Sequence, residues 1–380
     1  MADKYFLVIN AGSSSLKFKL YDFLLKEKAS GLVEKISEKG SFLNFSAGKY
    51  QEIMEYRIAN HSEALQLIIN KLEEQKFDLS KIVKIGHRVV HGGELFVKAT
   101  LIKAKQLAQL KKIQNLAPLH NPHNIFGIEA CLKIFPKAEN WAVFDTAFHV
   151  QLPPYAKLYA IPYTLYEQDH VRRYGFHGLS HAYVAEVVAK KLKRRKFNLI
   201  SCHLGGGASV SAIKNGVSID TSMGFGPLEG LMMGSRSGDI DPSVLFYLYR
   251  QGWTMPELEK LLNFESGVLG VSGLKDLRDV MILNGYKIKG YEMAVKADVQ
   301  TKALAKLALQ MFIYRLRKYL GAYLAVLGSV DVIAFTGGIG ERNADVRRLV
   351  TTALPFKFKV MIVPADEELV IAKNLKSSHV

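Results

Sequence analysis

The sequence predicts an α/β protein of two domains, and three observations support this prediction. The chain has 380 residues, which is more than one compact core usually accommodates. At two places an apolar run ends in a cluster of small residues and is followed by alternating apolar residues, which is typical of a strand–turn–strand hairpin. Other stretches have apolar residues at helical spacing. The chain therefore combines helices with a hairpin pattern that occurs twice.

The central hairpin pattern lies at 199–213, LISCHLGGGASVSAI. An apolar run leads into His203 and three successive glycines, and alternation resumes from Val210. Glycine loses more backbone entropy on folding than any other residue, so three in a row indicate a sharp bend or a close approach to a ligand. An ordinary hairpin turn is the alternative.

The other hairpin pattern lies near the N-terminus at 5–21, YFLVINAGSSSLKFKLY, where Asn10 precedes a small-residue cluster with three serines. A related pattern at 331–343, DVIAFTGGIGERN, predicts an apolar strand, a glycine-rich turn and a helix. Turns rich in backbone N–H and hydroxyl donors are suited to binding phosphate groups. Together the three turns predict a site that holds a phosphate chain from more than one side.

The formal net charge of +16 is compatible with nucleic acid, a membrane surface or small anions as partners. The densest basic cluster, KKLKRRK at 190–196, ends a predicted helix, where cations complement the helix dipole. The sequence contains no helix-turn-helix, zinc-finger or aromatic-interleaved basic motif. Small anionic ligands are therefore favoured, and nucleic acid is a minor alternative.

The most apolar later window, 303–327, predicts a helix that faces the core, with Leu307 and Met311 among its core positions. It contains four basic residues, which argues against a membrane span. Cys131 and Cys202 provide no disulfide framework, and the N-terminus leads into the first strand without a signal-peptide pattern. These features predict a cytoplasmic protein that does not bind membranes.

Two arginines are candidate anion ligands, because a guanidinium can donate to two oxygens at once. Arg88 ends a predicted strand in IVKIGHRVVHGGE, and Arg236 lies in the glycine-rich segment MGFGPLEGLMMGSRSGDIDP. A surface ion pair is the alternative for Arg88, and two acids downstream of Arg236, Asp239 and Asp241, could hold that arginine in place.

Histidines and carboxylates occur in equally suggestive places. Two prolines present His120 and His123 in a rigid turn, and we expect one to donate a hydrogen bond and the other to be structural. Asp145 interrupts an apolar strand, where a carboxylate needs a partner or a catalytic role. The acidic triplet 366–368 begins a helix, so it either complements the helix dipole or binds a metal.

His177 and His181 lie four residues apart, but without the glutamate of a zinc-protease helix they are only a weak metal motif, and Ser180 between them is a candidate helix cap. Neither GxxxxGK[ST] nor a GxGxxG after the first strand occurs. Glycine turns, two arginines, histidines and carboxylates remain. This inventory fits phosphoryl transfer, which depends mainly on alignment, a metal ion and charge neutralisation.

Nine segments that follow one another along almost the whole chain resemble the acetate kinase family. They are VINAGSSSLKF, GHRVVHGGE, APLHNPHN, VFDTAFH, YGFHGLSH, HLGGGAS, MGFGPLEGLMMGSRSGDIDP, FTGGIGE and PADEELVIA. The resemblance implies the α/β fold of the actin, Hsp70 and sugar-kinase superfamily. That fold has two duplicated domains, each a ribonuclease H-like mixed sheet flanked by helices, with ATP in the cleft between them.

The resemblance also implies the domain boundaries. An N-terminal domain at 1–149 would bind the acyl substrate and phosphate, and a C-terminal domain at 150–368 would bind the nucleotide. The last helix, 369–380, would return to the N-terminal domain.

Four residues match the catalytic positions of the family. By resemblance, Arg88 and Arg236 hold acetate and the transferring phosphoryl group. Asp145 would act with Arg88 and the magnesium site, and His177 would steady the equatorial oxygens of the transition state. His120 would support the phosphates on the substrate side.

The remaining ligand contacts are also implied by resemblance. The apolar pocket for the acyl methyl group would consist of Val90, Leu119, Phe176 and Pro227. The nucleotide would be bound by His203, Leu204, Gly205, Gly206 and Gly207, by Asp276, Leu277 and Arg278, and by Gly338, Ile339, Gly340, Glu341 and Arg342. Mg²⁺, or Mn²⁺ in its place, would be bound by Asn10 and Glu367.

The sequence departs from the family pattern at three places near the nucleotide. Gly206 and Arg342 each stand where the family usually has asparagine, and the segment between 347 and 360 is shorter than usual. None of these changes touches the arginine, aspartate and histidine core.

The resemblance implies reversible in-line transfer of the γ-phosphoryl group of ATP to acetate, in a homodimer, with domain closure excluding water. Propionate or butyrate kinase activity is the nearer alternative, because the same motifs permit it. A non-catalytic ATP-binding module is the other, although such a module has no use for two arginines, Asp145 and His177.

Overall fold

The computed structural model describes residues 4–293, 297–352 and 354–378. The described residues form two compact units. Unit 1 comprises those of 1–150 and 366–380, and unit 2 comprises those of 151–365. The last two residues of the predicted helix 369–380 lie outside the described part of the chain.

The strands of unit 1 are β1 (Tyr5–Ala11), β2 (Ser15–Asp22), β3 (Glu27–Glu34), β4 (Phe42–Ala47), β5 (Tyr50–Glu55), β6 (Ile82–Val89), β7 (Thr100–Leu101) and β8 (Glu139–Phe144). Those of unit 2 are β9 (Asn198–Leu204), β10 (Ala208–Lys214), β11 (Val217–Thr221), β12 (Val332–Thr336) and β13 (Lys359–Ile362).

The helices that precede the second hairpin are α1 (His61–Glu74), α2 (Ala104–Lys112), α3 (Asn121–Ile134), α4 (Pro154–Lys157), α5 (Thr164–Asp169) and α6 (Gly178–Leu192). Those that follow it are α7 (Pro242–Arg250), α8 (Met255–Phe264), α9 (Gly267–Ser272), α10 (Leu277–Leu283), α11 (Val299–Leu327), α12 (Gly337–Arg342), α13 (Ala344–Thr351) and α14 (Glu367–Ser377).

The two sheets share one arrangement of five strands. In unit 1 the order β3-β2-β1-β6-β8 joins two antiparallel pairs to two parallel pairs, and β4, β5 and β7 extend the edges. In unit 2 the order β11-β10-β9-β12-β13 repeats that pattern strand for strand. The predicted α/β fold of two duplicated mixed sheets flanked by helices is confirmed.

The three glycine- and serine-rich turns have the predicted local structure. β1 and β2 form the first hairpin, β9 and β10 form the second, and β12 leads through Gly337 into α12. Gly337 has φ +76°, and a Cβ there would lie 2.7 Å from the carbonyl oxygen of Leu204, so both conformation and space favour glycine.

One helix of each unit follows a strand of the other unit along the chain. In unit 1, α14 contacts β1 and β6, as α3 also does, and the strand before it is the last strand of unit 2. In unit 2, α6 contacts β9 and β12, as α12 also does, and the strand before it is β8 of unit 1. Each sheet is therefore completed by a helix whose preceding strand belongs to the other unit.

Gly86 on β6 allows α14 to lie close to the sheet of unit 1. A Cβ at this position would clash with Cγ2 of Ile371 and lie 3.1 Å from Cδ1 of Leu375, both on the buried side of α14. Lys84, two residues earlier, donates to the carbonyl of Leu375 at the end of the helix (3.0 Å). β6 thus sets the distance between α14 and the sheet, and it positions the C-terminal end of the helix.

We expect Gly86→Ala to lower the free energy of unfolding by about 1–3 kcal/mol, because the added methyl must displace α14 from a packed sheet. Gly321→Ala is the matched control, since Gly321 lies inside α11 with open space around it and alanine favours a helix. Urea titration of both variants measures the difference. Equal stability of Gly86→Ala and the parent would contradict the contact.

His87 is buried beside Arg88, and its Nε2 hydrogen-bonds Oδ1 of Asn140 (2.8 Å). Asn140 donates from Nδ2 to the carbonyl of Ala138, which leaves its oxygen to accept from a neutral imidazole. Burial lowers the pKa of His87 to about 4. His87 is therefore uncharged in the folded protein over most of the acidic range.

We expect the free energy of unfolding to decrease as the pH falls from about 6.5 to 4, by up to about 3 kcal/mol from His87 alone. In that range the unfolded chain binds a proton at His87 that the folded protein excludes, so the contribution is complete above pH 6.5. His87→Gln keeps an amide donor but does not titrate. Urea titrations of the parent and of His87→Gln across this pH range measure the effect. If His87 is not the cause, the free energy of unfolding should fall equally in both proteins.

The long helix α11 confirms the helix predicted at 303–327, and its core side includes Phe312, Leu316 and Leu320. The prediction was wrong for Leu307 and Met311, which are exposed. Of the helices described, none combines the length and apolarity needed to cross a membrane. Cys131 and Cys202 are free, as the sequence predicts, and both are buried.

Candidate active site

The N-terminus of α14 is held against the sheet of unit 1 by three ion pairs. Each acid of the triplet contacts a different cation: Asp366 pairs with Lys19 at 3.1 Å, Glu367 with Arg88 at 3.0 Å and Glu368 with Lys17 at 2.8 Å. Asp366 is also the N-cap and accepts from the backbone N–H of Leu369. The triplet thus positions the helix as well as complementing its dipole.

Arg88 at the end of β6 is clamped by two carboxylates. Its Nε and Nη2 donate to Asp145, with 2.7 Å between Nη2 and Oδ2, while Nη1 faces Glu367. Burial opposes the charge of Arg88, but Asp145 and Glu367 outweigh it and raise the pKa of the guanidinium. Burial raises the pKa of Asp145, although Arg88 opposes the shift. The clamp fixes the orientation of the guanidinium.

Asn10 lies on the face of the sheet that α14 covers. The parallel register pairs Val8 with Gly86, the residue in contact with α14. Because side chains two residues apart share a face of a strand, Asn10 and Arg88 lie on that same face. The sheet therefore places the predicted metal ligand Asn10 on the side where Glu367 meets Arg88.

The oxygen donors of Asn10 and Glu367 are of the kind that Mg²⁺ prefers. Among the described residues there is no group of three or more histidine, cysteine, aspartate or glutamate side chains that could hold a metal. Mg²⁺ is commonly bound by one or two carboxylates together with substrate phosphates and water. The donor set fits that kind of site, and the metal ligands stay a prediction.

Two asparagines of the segment APLHNPHN brace the loop after Arg88. Asn124 accepts from the N–H of Val90 and donates to the carbonyl of Ala11, and Asn121 bonds both backbone groups of His91. The start of α3 thereby ties the ends of β1 and β6 together. This local function explains the segment without invoking a ligand.

The two histidines of that segment have different surroundings. His123 stacks on His61 with 5.4 Å between ring centroids. Burial lowers the pKa of His123, and the neighbouring His61 lowers it further. His61 in turn hydrogen-bonds the carbonyl of Gly12 in the first glycine turn (2.6 Å). His120 lies half-buried at the start of α3. His123 is thus the structural member, and His120 stays the predicted ligand.

In unit 2 the three predicted nucleotide segments meet at one edge of the sheet. β9 and β12 are parallel, and Thr336 pairs with His203, so the turn at 205–207 lies beside the start of α12. A Cβ at Gly234 would lie 3.5 Å from the carbonyl of Lys275, which precedes α10, and 3.9 Å from that of Gly206. Gly206 itself is exposed with open space around it.

Arg236 lies next to the same glycine turn. A Cβ at Gly207 would be 3.8 Å from Nη1 of Arg236 and 3.2 Å from Nε2 of His177. Nη1 donates to the carbonyl of Pro227 (3.2 Å), and among the described residues no carboxylate pairs with the guanidinium. Burial lowers the pKa of Arg236 below its ordinary value. A half-buried cation without an anion of its own is suited to binding an anionic ligand.

A polar layer joins α6 to the hairpin of unit 2. His177 and His203 stack with 4.2 Å between centroids, and their Nδ1 atoms bond Ser209 and Ser180 at 2.9 and 2.8 Å. His177 is the N-cap of α6 at φ 54°, a left-handed conformation that is strained for a residue other than glycine. Ser180 lies inside the helix, so its predicted role as a cap was wrong.

The other predicted nucleotide residues differ in exposure. Asp276 caps α10 and holds Arg278 through two nitrogens, and Arg278 lies over the ring of Tyr291 at 3.9 Å. Glu341 accepts from the backbone N–H groups of Gly337 and Ala365, which ties the α12 turn to the segment before α14. Arg342 is exposed. Leu204 and Leu277 are buried and have packing roles.

The four predicted pocket residues belong to both units. Val90 is half-buried and Leu119 is at the surface of unit 1, while Phe176 is buried and Pro227 half-buried in unit 2. Arg173 holds the loop before Pro227 through the carbonyls of Thr221 and Met223. The acyl pocket stays a prediction.

The sequence reasoning missed Ser201 and Ser209, which bond the histidines of α6. The signal was present in the alternation of 199–213, because Ser201 and His203 share one face of β9 and Ser209 pairs with His203 across the hairpin. The four-residue spacing of His177 and His181 places both on one side of α6.

Comparisons with known proteins agree along almost the whole chain. The model of the acetokinase family matches residues 5–358. Among curated proteins, the acetate kinases of Clostridium novyi (strain NT) and Clostridium botulinum (strain Langeland / NCTC 10281 / Type F) are 41% and 42% identical to this chain. Each alignment covers 97% of this chain and 97% or 98% of the relative.

Two solved structures are similar in sequence and fold. A propionate kinase from Francisella tularensis subsp. tularensis SCHU S4 is 39% identical with a TM-score of 0.89, and an acetate kinase from Porphyromonas gingivalis is 38% identical with a TM-score of 0.85. In both cases 98% of each chain is covered.

Proposed function

The chain belongs to the acetokinase family, and on that premise we propose that it phosphorylates acetate with ATP. A carboxylate oxygen of acetate attacks the γ-phosphorus in line, an oxygen–phosphorus bond forms, and the bond from phosphorus to the β–γ bridging oxygen breaks. The products are acetyl phosphate and ADP, and the reaction is reversible. The observation that carries the proposal is Arg236, a half-buried cation without a carboxylate partner among the described residues, beside a glycine turn.

The two arginines neutralise the charge that develops during transfer. Phosphoryl transfer requires little covalent assistance, so electrostatic stabilisation and alignment account for most of the acceleration. Arg88 is held rigidly by Asp145 and Glu367, which removes the cost of orienting it at the moment of reaction. Arg236 binds the anionic phosphoryl group, which is then the negatively charged partner that this arginine lacks among the described residues. His177 donates a hydrogen bond to an equatorial oxygen.

The nucleotide binds to the segments that meet at the edge of the second sheet, at 203–207, 276–278 and 338–342. Backbone N–H groups of the glycine turn and of the start of α12 face the phosphates. Asn10 and Glu367 would hold Mg²⁺, or Mn²⁺ in its place, together with the phosphates, and the metal would supply neutralisation of phosphate charge.

Propionate or butyrate is the second candidate acceptor. The similarity to a propionate kinase, 39% identical over 98% of both chains, favours this alternative. The predicted pocket of Val90, Leu119, Phe176 and Pro227 would contact the acyl chain. One methylene group changes binding by only about 1–3 kcal/mol, so discrimination between the acids is expected to be partial.

Hydroxylamine trapping tests the proposal directly. The protein is incubated with ATP, Mg²⁺ and acetate, propionate or butyrate, and the acyl hydroxamate is measured against time. We expect product with acetate and the highest kcat/KM for it. Absence of hydroxamate with all three acids would refute the kinase, and a higher kcat/KM for propionate or butyrate would reassign its substrate.

The protein is proposed to act as a homodimer through α7. This helix has no buried residue, although it carries Val244, Phe246, Tyr247 and Tyr249. Contiguous exposed apolar side chains of this kind mark interaction surfaces. A second copy is the occupant that the family resemblance implies.

Phe246→Glu is expected to convert the dimer into a monomer, because it places a charge in an apolar contact. Leu24→Glu is the control, since Leu24 is an exposed apolar residue in a turn of unit 1. Sedimentation equilibrium of the two variants and the parent gives the masses. A parent of single-chain mass would refute the dimer.

We propose the cytoplasm as its compartment. Two free, buried cysteines suit a reducing environment, and ATP and acetate are cytoplasmic substrates. Nucleic acid and membranes are not expected partners.

A further inference from the structure

In the polar layer of unit 2, a series of hydrogen bonds links two serines and two histidines. Few neighbouring atoms are available to accept the proton of each serine hydroxyl. Oγ of Ser209 lies 2.9 Å from Nδ1 of His177 and 2.8 Å from Nε2 of His181. Nδ1 of His181 lies 2.8 Å from Oγ of Ser201. Both serines and His181 are fully buried. The order along the chain of bonds is therefore Ser201, His181, Ser209, His177.

A hydroxyl has one proton, so Ser209 can donate to only one of its two imidazoles. If Ser209 donates to His177, then Nε2 of His181 carries a proton and donates to Ser209. If Ser209 donates to His181, then Nδ1 of His177 carries the proton instead. The proton on Nε2 of His177 is present in the first arrangement and absent from a neutral ring in the second.

Ser201 decides between the two arrangements. In the first, neutral His181 has a bare Nδ1, and Ser201 donates its proton there. In the second, His181 donates to Ser201, and the hydroxyl proton of Ser201 is left without an acceptor, because Ser201 has no other partner among the described residues. A buried donor without an acceptor is destabilising, because its hydrogen bond to water is lost and not replaced. The first arrangement is therefore favoured.

We propose that Ser201, His181 and Ser209 are positioning residues that keep the proton of His177 on Nε2. That nitrogen lies on the side of the glycine turn, within 3.2 Å of where a Cβ of Gly207 would be. The hydroxyl relay thus presents an N–H donor, rather than a lone pair, to an anionic ligand at the turn.

The same accounting applies to His203. Ser180 is buried and bonds only Nδ1 of His203 among the described residues, so it donates there and the proton of a neutral His203 lies on Nε2. Nε2 of His203 lies 3.8 Å from where a Cβ of Gly205 would be. Two stacked imidazoles therefore present N–H donors to one turn.

This inference deepens the proposed function, because it assigns how His177 is prepared to bind a phosphoryl oxygen. A lone pair on Nε2 would repel that oxygen, so the wrong tautomer is inactive in transfer. If a fraction of the molecules holds the wrong tautomer, kcat decreases by that fraction.

Nitrogen-15 NMR of the full chain labelled at histidine tests the tautomer without any activity, with His177→Gln and His203→Gln used for assignment. We expect Nδ1 of both rings to be unprotonated and Nε2 to be protonated. A proton on Nδ1 of His177 would overturn the proposal. This readout stands even if no acyl phosphate is formed, in which case the kinase proposal alone fails.

Ser201→Ala and Ser211→Ala form the matched pair for the relay. Ser211 is buried on β10 like Ser209, but its hydroxyl bonds Thr221. Ser201→Ala leaves Nδ1 of His181 unpaired in both arrangements, so the preference between them narrows. We therefore expect the Nδ1-protonated tautomer of His177 to appear beside the other one, and kcat to fall by up to about twofold with KM unchanged. Ser211→Ala should change neither. An unchanged tautomer in Ser201→Ala, or equal effects of both variants, would refute the relay. If Ser201→Ala does not fold, the histidine tautomers of the parent protein decide whether the relay exists.

Discussion

Arg236→Ala is expected to lower kcat by about a thousandfold without lowering the free energy of unfolding. Removal of a preorganised cation from a phosphoryl-transfer site costs about two to four powers of ten in rate. The same guanidinium has no carboxylate partner among the described residues, and burial disfavours its charge. Its removal therefore relieves the folded state of a poorly solvated cation, so stability should be unchanged or slightly higher.

Initial rates and urea titrations of the same preparation measure both effects. Arg194→Ala is the control, because Arg194 is an exposed arginine of unit 2 that pairs with Asp331 away from the glycine turn. It should keep the parent's kcat. A fall in stability for Arg236→Ala as large as the loss of a packed core residue would show that the arginine is structural.

Arg88→Ala should reduce both activity and stability. The sequence predicts the same role for the two arginines, but their contacts separate them. Removal of Arg88 leaves Asp145 and Glu367 as neighbouring carboxylates without their shared cation. Breaking a buried ion pair from one side costs about 3–5 kcal/mol, and the partial exposure of Arg88 and Glu367 places the expectation near the lower value.

The pH dependence identifies the cause of that loss. Burial already raises the pKa of Asp145, and without Arg88 it should rise further, so protonation below neutral pH relieves the repulsion. The destabilisation by Arg88→Ala should therefore be larger at pH 7.5 than at pH 5. The double variant Arg88→Ala/Asp145→Asn should recover part of it at pH 7.5. No recovery would show that packing, not charge, was lost.

Local patterns were sufficient to predict the hairpins and the glycine turn before α12. A period of two around small residues determines strand, turn and strand over about fifteen residues, and no distant contact is needed to recognise it. The pairing of Arg88 with Asp145 is different, because 57 residues separate them. That Arg88 and Asp145 lie at the same edge of the sheet follows only from the parallel pairing of β6 with β8.

The partners of the histidines were beyond sequence reasoning for a related reason. Whether Ser209 faces α6 or the opposite side depends on a one-residue shift of the β9–β10 register. The exposed positions Leu307 and Met311 were mispredicted because an apolar residue at helical spacing can face a core or a partner with equal regularity. The resemblance supplied roles for residues, but not these contacts.

The position of α14 after unit 2 in the chain has a consequence for the order in which the protein can fold during synthesis. Unit 2 is complete once residue 365 has left the ribosome, because no part of unit 1 interrupts its range of 151–365. The sheet of unit 1 is synthesised first, yet the side with Gly86, Lys17 and Lys19 has no covering helix until α14 emerges. At about 5–20 residues per second, that side stays uncovered for roughly ten seconds or more after β8 is made. The half of the protein that is translated first is thus the last to finish folding.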